Sequence, residues 1–252
     1  MTNPFLDPEI ANDYDTIYRT REGKYIDYFE KASMDKLLRN LPRGKLLEVG
    51  CGTGRWSNFF SSLGFDVTGI DSSLPMLEIA RKKKLPFTNF IHTSGESYFL
   101  PKPQNIKLIR KKEGILSRKK YEDESWKFDS LALMFSLEFI ENLERVFENC
   151  LQFINSNGFI IIGLFNSKSD QVSRILSKKT FPYAHLRSLT EISQFLSKYG
   201  KVSVEKCIFP TFQDYSSSSL FDLIEQEHLM KENRERSNLI YFILIKISHE
   251  QS

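Results

Sequence analysis

The chain has 252 residues, 40% of them apolar and 27% charged, with 35 Lys and Arg against 32 Asp and Glu for a formal charge of +3. Those proportions describe a globular domain long enough to bury a substantial core, and exclude collagen-like, disordered and disulfide-scaffold classes. The near balance of charge points to neither a nucleic acid nor a membrane, and the three scattered cysteines (Cys51, Cys150, Cys207) suggest neither a disulfide framework nor a zinc site.

Residues 1 to 45 read as largely helical, with Tyr25, Ile26, Phe29, Leu37 and Leu38 as apolar positions. The first residues lack the basic start and apolar run of a signal peptide, and no run reaches the ~18 to 20 apolar residues of a membrane span. A reducing, cytoplasmic location is the expectation.

From Leu46 to Phe165, short apolar runs alternate with helical periodicity, which predicts an open α/β sheet. Leu46 to Val49 is a first strand, followed by glycines and by Trp56, Phe59, Phe60 and Leu63 at helical spacing, with Gly64 at the helix end. Phe65 to Ile70 is a second strand. Ser73 and Pro75 open a second helix that runs to the basic stretch Arg81 to Lys84, and Phe90 to His92 is a third strand. Residues 97 to 127 break the expected short connection; nine basic residues against four acidic ones make this insertion more positive than the whole chain. Phe128 to Phe135 is the next strand. Leu143, Val146, Phe147, Cys150, Leu151 and Ile154 then form one helix face that Asn157-Gly158 stops, and Phe159 to Phe165 reads as a strand covered on both sides. Thr190 is the expected cap of a helix that Gly200 ends. Val202 to Phe209 and Leu239 to Ile247 are the last strands, and Ser219 with Asp222 suits a helix cap.

The strongest chemical signal is Glu48-Val49-Gly50-Cys51-Gly52-Thr53-Gly54 between a strand and an amphipathic helix. Glycines there allow a tight turn and the close approach of a ligand. The spacing is G-x-G-x-G, and Arg55 stands where the dinucleotide fingerprint has its last glycine, which counts against a nicotinamide-dependent oxidoreductase. The bland alternative is a strand-to-helix turn with convenient glycines. Asp71, 21 residues after Gly50, ends the second strand where an acid accepts hydrogen bonds from ribose hydroxyls; a helix-capping Asp is the alternative. Met76 and Leu77 offer an apolar face either to a base or to the core.

These motifs, with Gly69-Ile70-Asp71-Ser72-Ser73, Met76 to Arg81, Glu122 to Ser125, Phe128-Asp129 and Asn157-Gly158, resemble class I S-adenosylmethionine-dependent methyltransferases, more narrowly the small-molecule "type 11" methyltransferase domain. The similarity runs in order from about residue 14 to 165. It implies a Rossmann-like, seven-stranded α/β sheet whose last strand is antiparallel, a helical N-terminal lid (1–45) and a methyltransferase domain (46–252) carrying the basic insertion. It also implies S-adenosyl-L-methionine as cofactor, S-adenosyl-L-homocysteine as product, and a small-molecule acceptor. Glu48, Gly50, Cys51, Gly52 and Gly54 would surround the methionyl part, Asp71 the ribose, and Ser72 and Met76 the ribose and adenine surroundings. Gly95 and Glu96 match the motif near adenine, with Ser94 where the family usually has Asp; Phe135 and Met134 would flank the sulfonium. Tyr14 is the candidate lid tyrosine for the cofactor's carboxylate, or else an aromatic staple. Tyr183 to Ser188 resembles a segment approaching the acceptor pocket, although a lone His185 suits a structural role too. No residue identifies itself as a catalytic base, and no metal is implied. An RNA methyltransferase using the basic insertion and a non-catalytic cofactor-binding module are the alternatives.

Overall fold

The computed structural model describes residues 3–98, 108–110, 116–118, 127–169, 183–207, 219, 222, 225 and 239–247. Seven strands form one sheet: β1 (Lys45–Val49), β2 (Asp66–Asp71), β3 (Thr88–His92), β6 (Phe128–Met134), β7 (Ile154–Phe165), β8 (Gly200–Cys207) and β9 (Ile240–Ile247). Their order is β3-β2-β1-β6-β7-β9-β8. The pairs β1–β2, β2–β3, β1–β6 and β6–β7 are parallel, whereas β9 runs antiparallel to both β7 and β8. The expected seven-stranded sheet with its last strand antiparallel is present. A separate two-stranded ladder pairs β4 (Leu108–Arg110) with β5 (Leu116–Arg118). Residues 99–107, 111–115 and 119–126 of the basic insertion, including Lys102, Lys111, Lys112, Lys119, Lys120 and the Glu122 to Ser125 motif, lie outside the described residues.

The helices are α1 (Pro8–Tyr14), α2 (Arg21–Leu38), α3 (Arg55–Ser62), α4 (Leu74–Lys82), α5 (Leu143–Leu151) and α6 (Leu189–Ser197). None of the described helices is long and apolar enough to cross a membrane. Because successive strand side chains point to opposite faces, the apolar runs divide between two cores. Leu47, Leu131, Ile160, Ile162, Ile243 and Ile245 pack with Val146, Phe147 and Cys150 of α5 and Ile192 and Leu196 of α6. Leu46, Ala132, Ile161 and Phe242 face the other way, onto Tyr25, Phe29, Met34 and Leu38 of α2 and Trp56 and Phe60 of α3. This double cover is why β7 and β9 read as nearly unbroken apolar runs. The long helix α2 belongs to the second core, and the chain before it runs over the carboxyl edge of the sheet, where α1 packs against α4.

Three local expectations are corrected. The cap of α6 is Ser188, whose hydroxyl accepts from the Glu191 amide while Glu191 accepts from the Ser188 amide; this reciprocal pair outcompetes Thr190, which lies inside the helix. Ile154 is not on a helix face: α5 ends at Leu151 and Ile154 pairs with Phe128 at the start of β7. Asn157-Gly158 does not stop that helix either but sits in an irregularity between the Phe128–Ile154 and Ser130–Phe159 pairs. A Cβ on Gly158 would lie 2.9 Å from the Asp129 carbonyl, so the looped-out strand needs glycine there. The Ser219–Asp222 cap does form, with the Asp222 amide donating to Ser219 Oγ at 3.1 Å.

Candidate functional site

Where strand order reverses beside β1, the carboxyl ends of β1, β2 and β6 border a cavity of about 390 Å³, lined by residues 48–53, 70–72 and 134–136 among others. That is the switch point at which open α/β sheets bind ligands. Its floor is the glycine loop. Gly50, Gly52 and Gly54 have φ of +73°, +54° and +76°, a region that costs other residues about 1–2 kcal/mol. A Cβ on Gly50 would come 2.5 Å from Ser136 Cβ, and one on Gly54 2.9 Å from the Phe90 ring, whereas at Gly52 nothing lies within 4 Å. Two of the glycines therefore serve packing, and Gly52 opens the backbone to the cavity.

Neighbouring side chains fix this loop. Asp71 accepts from the Gly52 amide at 2.8 Å and, through its other oxygen, from the Ser73 amide at 2.7 Å. A carboxylate has about four acceptor positions, so capacity remains for a ligand. Desolvation pushes its pKa up, against the pull of those two amides. Glu48 is buried, accepts from Ser57 Oγ at 2.5 Å, and is pushed up to about 8 by burial. Burial likewise raises the Cys51 thiol well above its ordinary value.

One wall holds Ser72, Met76, Thr93, Ser94, Gly95 and Glu96. Asn149 of α5 secures it by donating to the Gly95 carbonyl at 2.7 Å. Leu77, by contrast, is wholly buried and away from the cavity lining. At the end of β6, Phe135 has φ +55°, which for a bulky residue is strain held at a site border. The next residue, Ser136, donates to the Val49 carbonyl at 2.8 Å, tying β6 to the glycine loop.

The roof comes from the first residues. Asn3, Pro4, Phe5 and Tyr14 line the cavity. Asn3 Nδ2 donates to Ser72 Oγ at 3.2 Å, and Ser73 Oγ donates to the Phe5 carbonyl. Thr53 in the glycine loop donates to Asp15 at 2.7 Å, and Lys83 pairs with the same carboxylate at 2.6 Å. Arg55, another cavity-lining residue, pairs with Asp27 at 2.8 Å and with buried Glu30 at 2.6 Å, with its guanidinium 4.0 Å from the centre of the Tyr18 ring. Desolvation raises the Tyr14 pKa, opposed by the Arg55 charge.

Beyond Phe135 the lining is Phe139, Ile140, Glu141, Tyr183 and His185. Phe5 meets Phe139 edge-on at 4.8 Å. The His185 amide donates to the Glu138 carbonyl at 2.6 Å, and Arg187 donates to the carbonyls of Leu137 (2.5 Å) and Ile140 (2.8 Å). Glu138 itself is buried, accepts from the Phe165 amide at 2.8 Å, and is pushed up to about 7 by burial.

The structure thus brings Tyr14, Glu48, Gly50, Cys51, Gly52, Asp71, Ser72, Met76, Gly95, Glu96, Met134, Phe135 and His185 to one cavity. Gly54 stands just behind it, as the left-handed N-cap of α3. Asp129 is elsewhere, accepting from the Lys45 amide and Asn155 at the opposite end of the sheet. Sequence reasoning missed Arg55, noted only as an absent glycine, and Ser136, and it did not foresee that Thr53 of the glycine loop would meet Asp15. The only signal was position: a cation directly after a glycine loop, on a chain with acids at 27 and 30.

A family profile described as a methyltransferase domain matches residues 18–204. A ubiquinone biosynthesis O-methyltransferase of Pasteurella multocida is 31% identical over 122 residues, which are 48% of this chain and 46% of that protein; the chain spans about half of that relative. Among solved structures, an S-adenosylmethionine-dependent methyltransferase of Thermotoga maritima aligns with TM-score 0.65 at 15% identity, covering 96% of this chain and 99% of the other. Phosphoethanolamine N-methyltransferase 2 of Haemonchus contortus, in complex with S-adenosylmethionine, aligns with TM-score 0.56 at 16% identity over 95% of this chain and 60% of its own. These two likenesses are of fold.

Proposed function

We propose, for a chain that belongs to the methyltransferase-domain family and has the Rossmann-like sheet of class I S-adenosylmethionine-dependent methyltransferases, that it transfers a methyl group from S-adenosylmethionine to a small-molecule acceptor. The observation that carries this reading is Gly52: a left-handed loop residue whose Cβ position is open, at the strand-order reversal, with Asp71 on its amide. A backbone cradle beside a strand-end carboxylate suits a nucleoside with an amino-acid tail.

In this reading Glu48, Gly50, Cys51, Gly52 and Gly54 form the loop around the methionyl part. Asp71 accepts from the ribose hydroxyls, Ser72, Met76, Gly95 and Glu96 border the adenine, and Tyr14 with the N-terminal stretch closes over the amino-acid end as a lid. Phe135 and Met134 keep water from the sulfur. When bound, S-adenosylmethionine supplies a methyl group on a positive sulfonium, ready for in-line displacement. The chain's own task is then to hold the acceptor in line, and orientation of that kind is worth roughly 7–11 kcal/mol in favourable cases. The relative named as a ubiquinone biosynthesis O-methyltransferase supports a small-molecule acceptor.

Calorimetric titration with S-adenosylhomocysteine and with NAD tests the reading. Binding of the first and indifference to the second are expected; tight NAD binding without a response to S-adenosylhomocysteine overturns it. Formation of S-adenosylhomocysteine from S-adenosylmethionine in an acceptor screen separates an enzyme from a non-catalytic binding module.

A further inference from the structure

The region beyond Phe135 has a chemistry of its own. Phe5, Phe139, Ile140 and Tyr183 give it flat apolar walls, and His185 is the imidazole among the described lining residues. The segment bearing His185 is unusually well anchored for a chain outside helix and strand. Its amide donates to the Glu138 carbonyl, and Arg187 clips it to the carbonyls of Leu137 and Ile140. Those acceptors belong to the stretch that directly follows Phe135, so His185 is held in register with the end of β6. Anchoring of this kind is what a proton-transfer group needs, because a displacement of about 1 Å costs much of the rate.

The side chains at this end suit an aromatic acceptor that gives up a proton. Arg187 spends its guanidinium on carbonyl oxygens, and Glu141 stands at the exposed rim. A fixed imidazole serves an acceptor that must lose a proton as it is methylated, such as a hydroxyl. Edge and face contacts from Phe5 and Phe139 suit an aromatic ring.

We propose that His185 is the general base of this site and that the acceptor is an aromatic hydroxyl. The inference rests on the methyltransferase reading above. The hydroxyl proton passes to a ring nitrogen of His185, and the oxygen's electron pair forms the bond to the methyl carbon. The sulfur–carbon bond breaks with its pair retained on sulfur. The products are the aryl methyl ether, S-adenosylhomocysteine and an imidazolium, which returns its proton to solvent. The charged and titratable groups on the elements packed here are Tyr183, Arg187 and Glu191 on its own side, Glu138 and Glu141 after β6, and Tyr14 from the roof.

The test uses the full chain with catechol, 4-methylcatechol and 4-nitrocatechol, alongside phenethylamine and benzoate, with S-adenosylhomocysteine formation as the activity readout. His185→Ala and His185→Gln should keep S-adenosylhomocysteine affinity by calorimetry and catechol affinity within about threefold, yet lower kcat about 100-fold or more. The acid limb of the wild-type pH profile should disappear, and added imidazole should restore part of the rate to the Ala variant. The deficit should shrink from 4-methylcatechol to 4-nitrocatechol, whose hydroxyl ionises without help. If S-adenosylhomocysteine does not bind the wild type, the methyltransferase reading itself fails. If it binds but only phenethylamine or benzoate is methylated, or no catechol is, the inference is overturned and the parent reading stands. Unchanged kcat and pH profile in His185→Gln overturn it as well.

Discussion

The floor and the roof of the cavity are held by different kinds of interaction. The floor, at the ends of β1 and β2, is held by local backbone geometry: left-handed glycines and a carboxylate that accepts from amides at Gly52 and Ser73. The roof is held by charged side chains that meet across long stretches of chain, with Arg55 on Asp27 and Glu30, and Thr53 and Lys83 on Asp15. The roof can therefore be loosened through a single charge while the backbone geometry of the floor stays intact.

The largest effect is expected at Arg55. Removing the guanidinium in Arg55→Met leaves Glu30, which is 2% exposed, charged without its partner, and breaking a buried pair in that way costs about 3–5 kcal/mol. A marked fall in Tm is expected, partly recovered in the double variant Arg55→Met/Glu30→Gln. A Tm within a degree of wild type shows that the roof does not depend on this hub.

Glu138 should show the next largest effect. Its folded value of about 7 lies above the ordinary 4.5, so the folded chain binds the proton more tightly than the unfolded one. Stability from this group is full below about pH 4.5 and is lost as pH rises through about 7, a total of roughly 3 kcal/mol. Glu138→Gln cannot ionise, so its Tm relative to wild type should climb between pH 5 and pH 8; a constant difference across that range contradicts the assignment.

Gly52 and Gly50 sharpen the contrast within the floor. Gly52→Leu fills open space and should weaken S-adenosylhomocysteine binding at least about 100-fold for a stability cost of about 1–2 kcal/mol. Gly50→Ala drives a Cβ into Ser136, so its main loss should be thermal. The reverse pattern breaks the division between a packing glycine and a ligand glycine.

The smallest effect is expected at Asp71. Asp71→Ala removes a charged acceptor worth about 1.5–3 kcal/mol per bond, so affinity should fall roughly tenfold or more. Because Asp71 also holds the Gly52 and Ser73 amides, Tm should fall with it. Loss of stability alone marks Asp71 as a structural cap.

The same contrast explains what was legible in the sequence. Strands covered on both faces, such as Phe159 to Phe165, and a glycine loop between strand and helix write their geometry into neighbouring residues, so β1, β2, α3, α4 and most of the floor could be read directly. The capping box at Ser188 was within reach too, since Glu191 stands three residues on. Arg55 with Glu30, Ser136 with Val49, and Arg187 with Leu137 are separated by 25, 87 and 50 positions. Such pairs leave no periodicity; only the fold brings them together. The same holds for His185, whose position depends on a carbonyl at Glu138.

The central claim is that the floor at the ends of β1 and β2 holds the nucleoside of S-adenosylmethionine, and co-crystallisation with S-adenosylhomocysteine tests it most directly. The expected density has both ribose hydroxyls within hydrogen-bond distance of Asp71, the adenine beside Met76 and the 94–96 turn, and the sulfur next to Phe135. A nucleoside seated elsewhere in the cavity, with Asp71 still occupied only by the Gly52 and Ser73 amides, contradicts it.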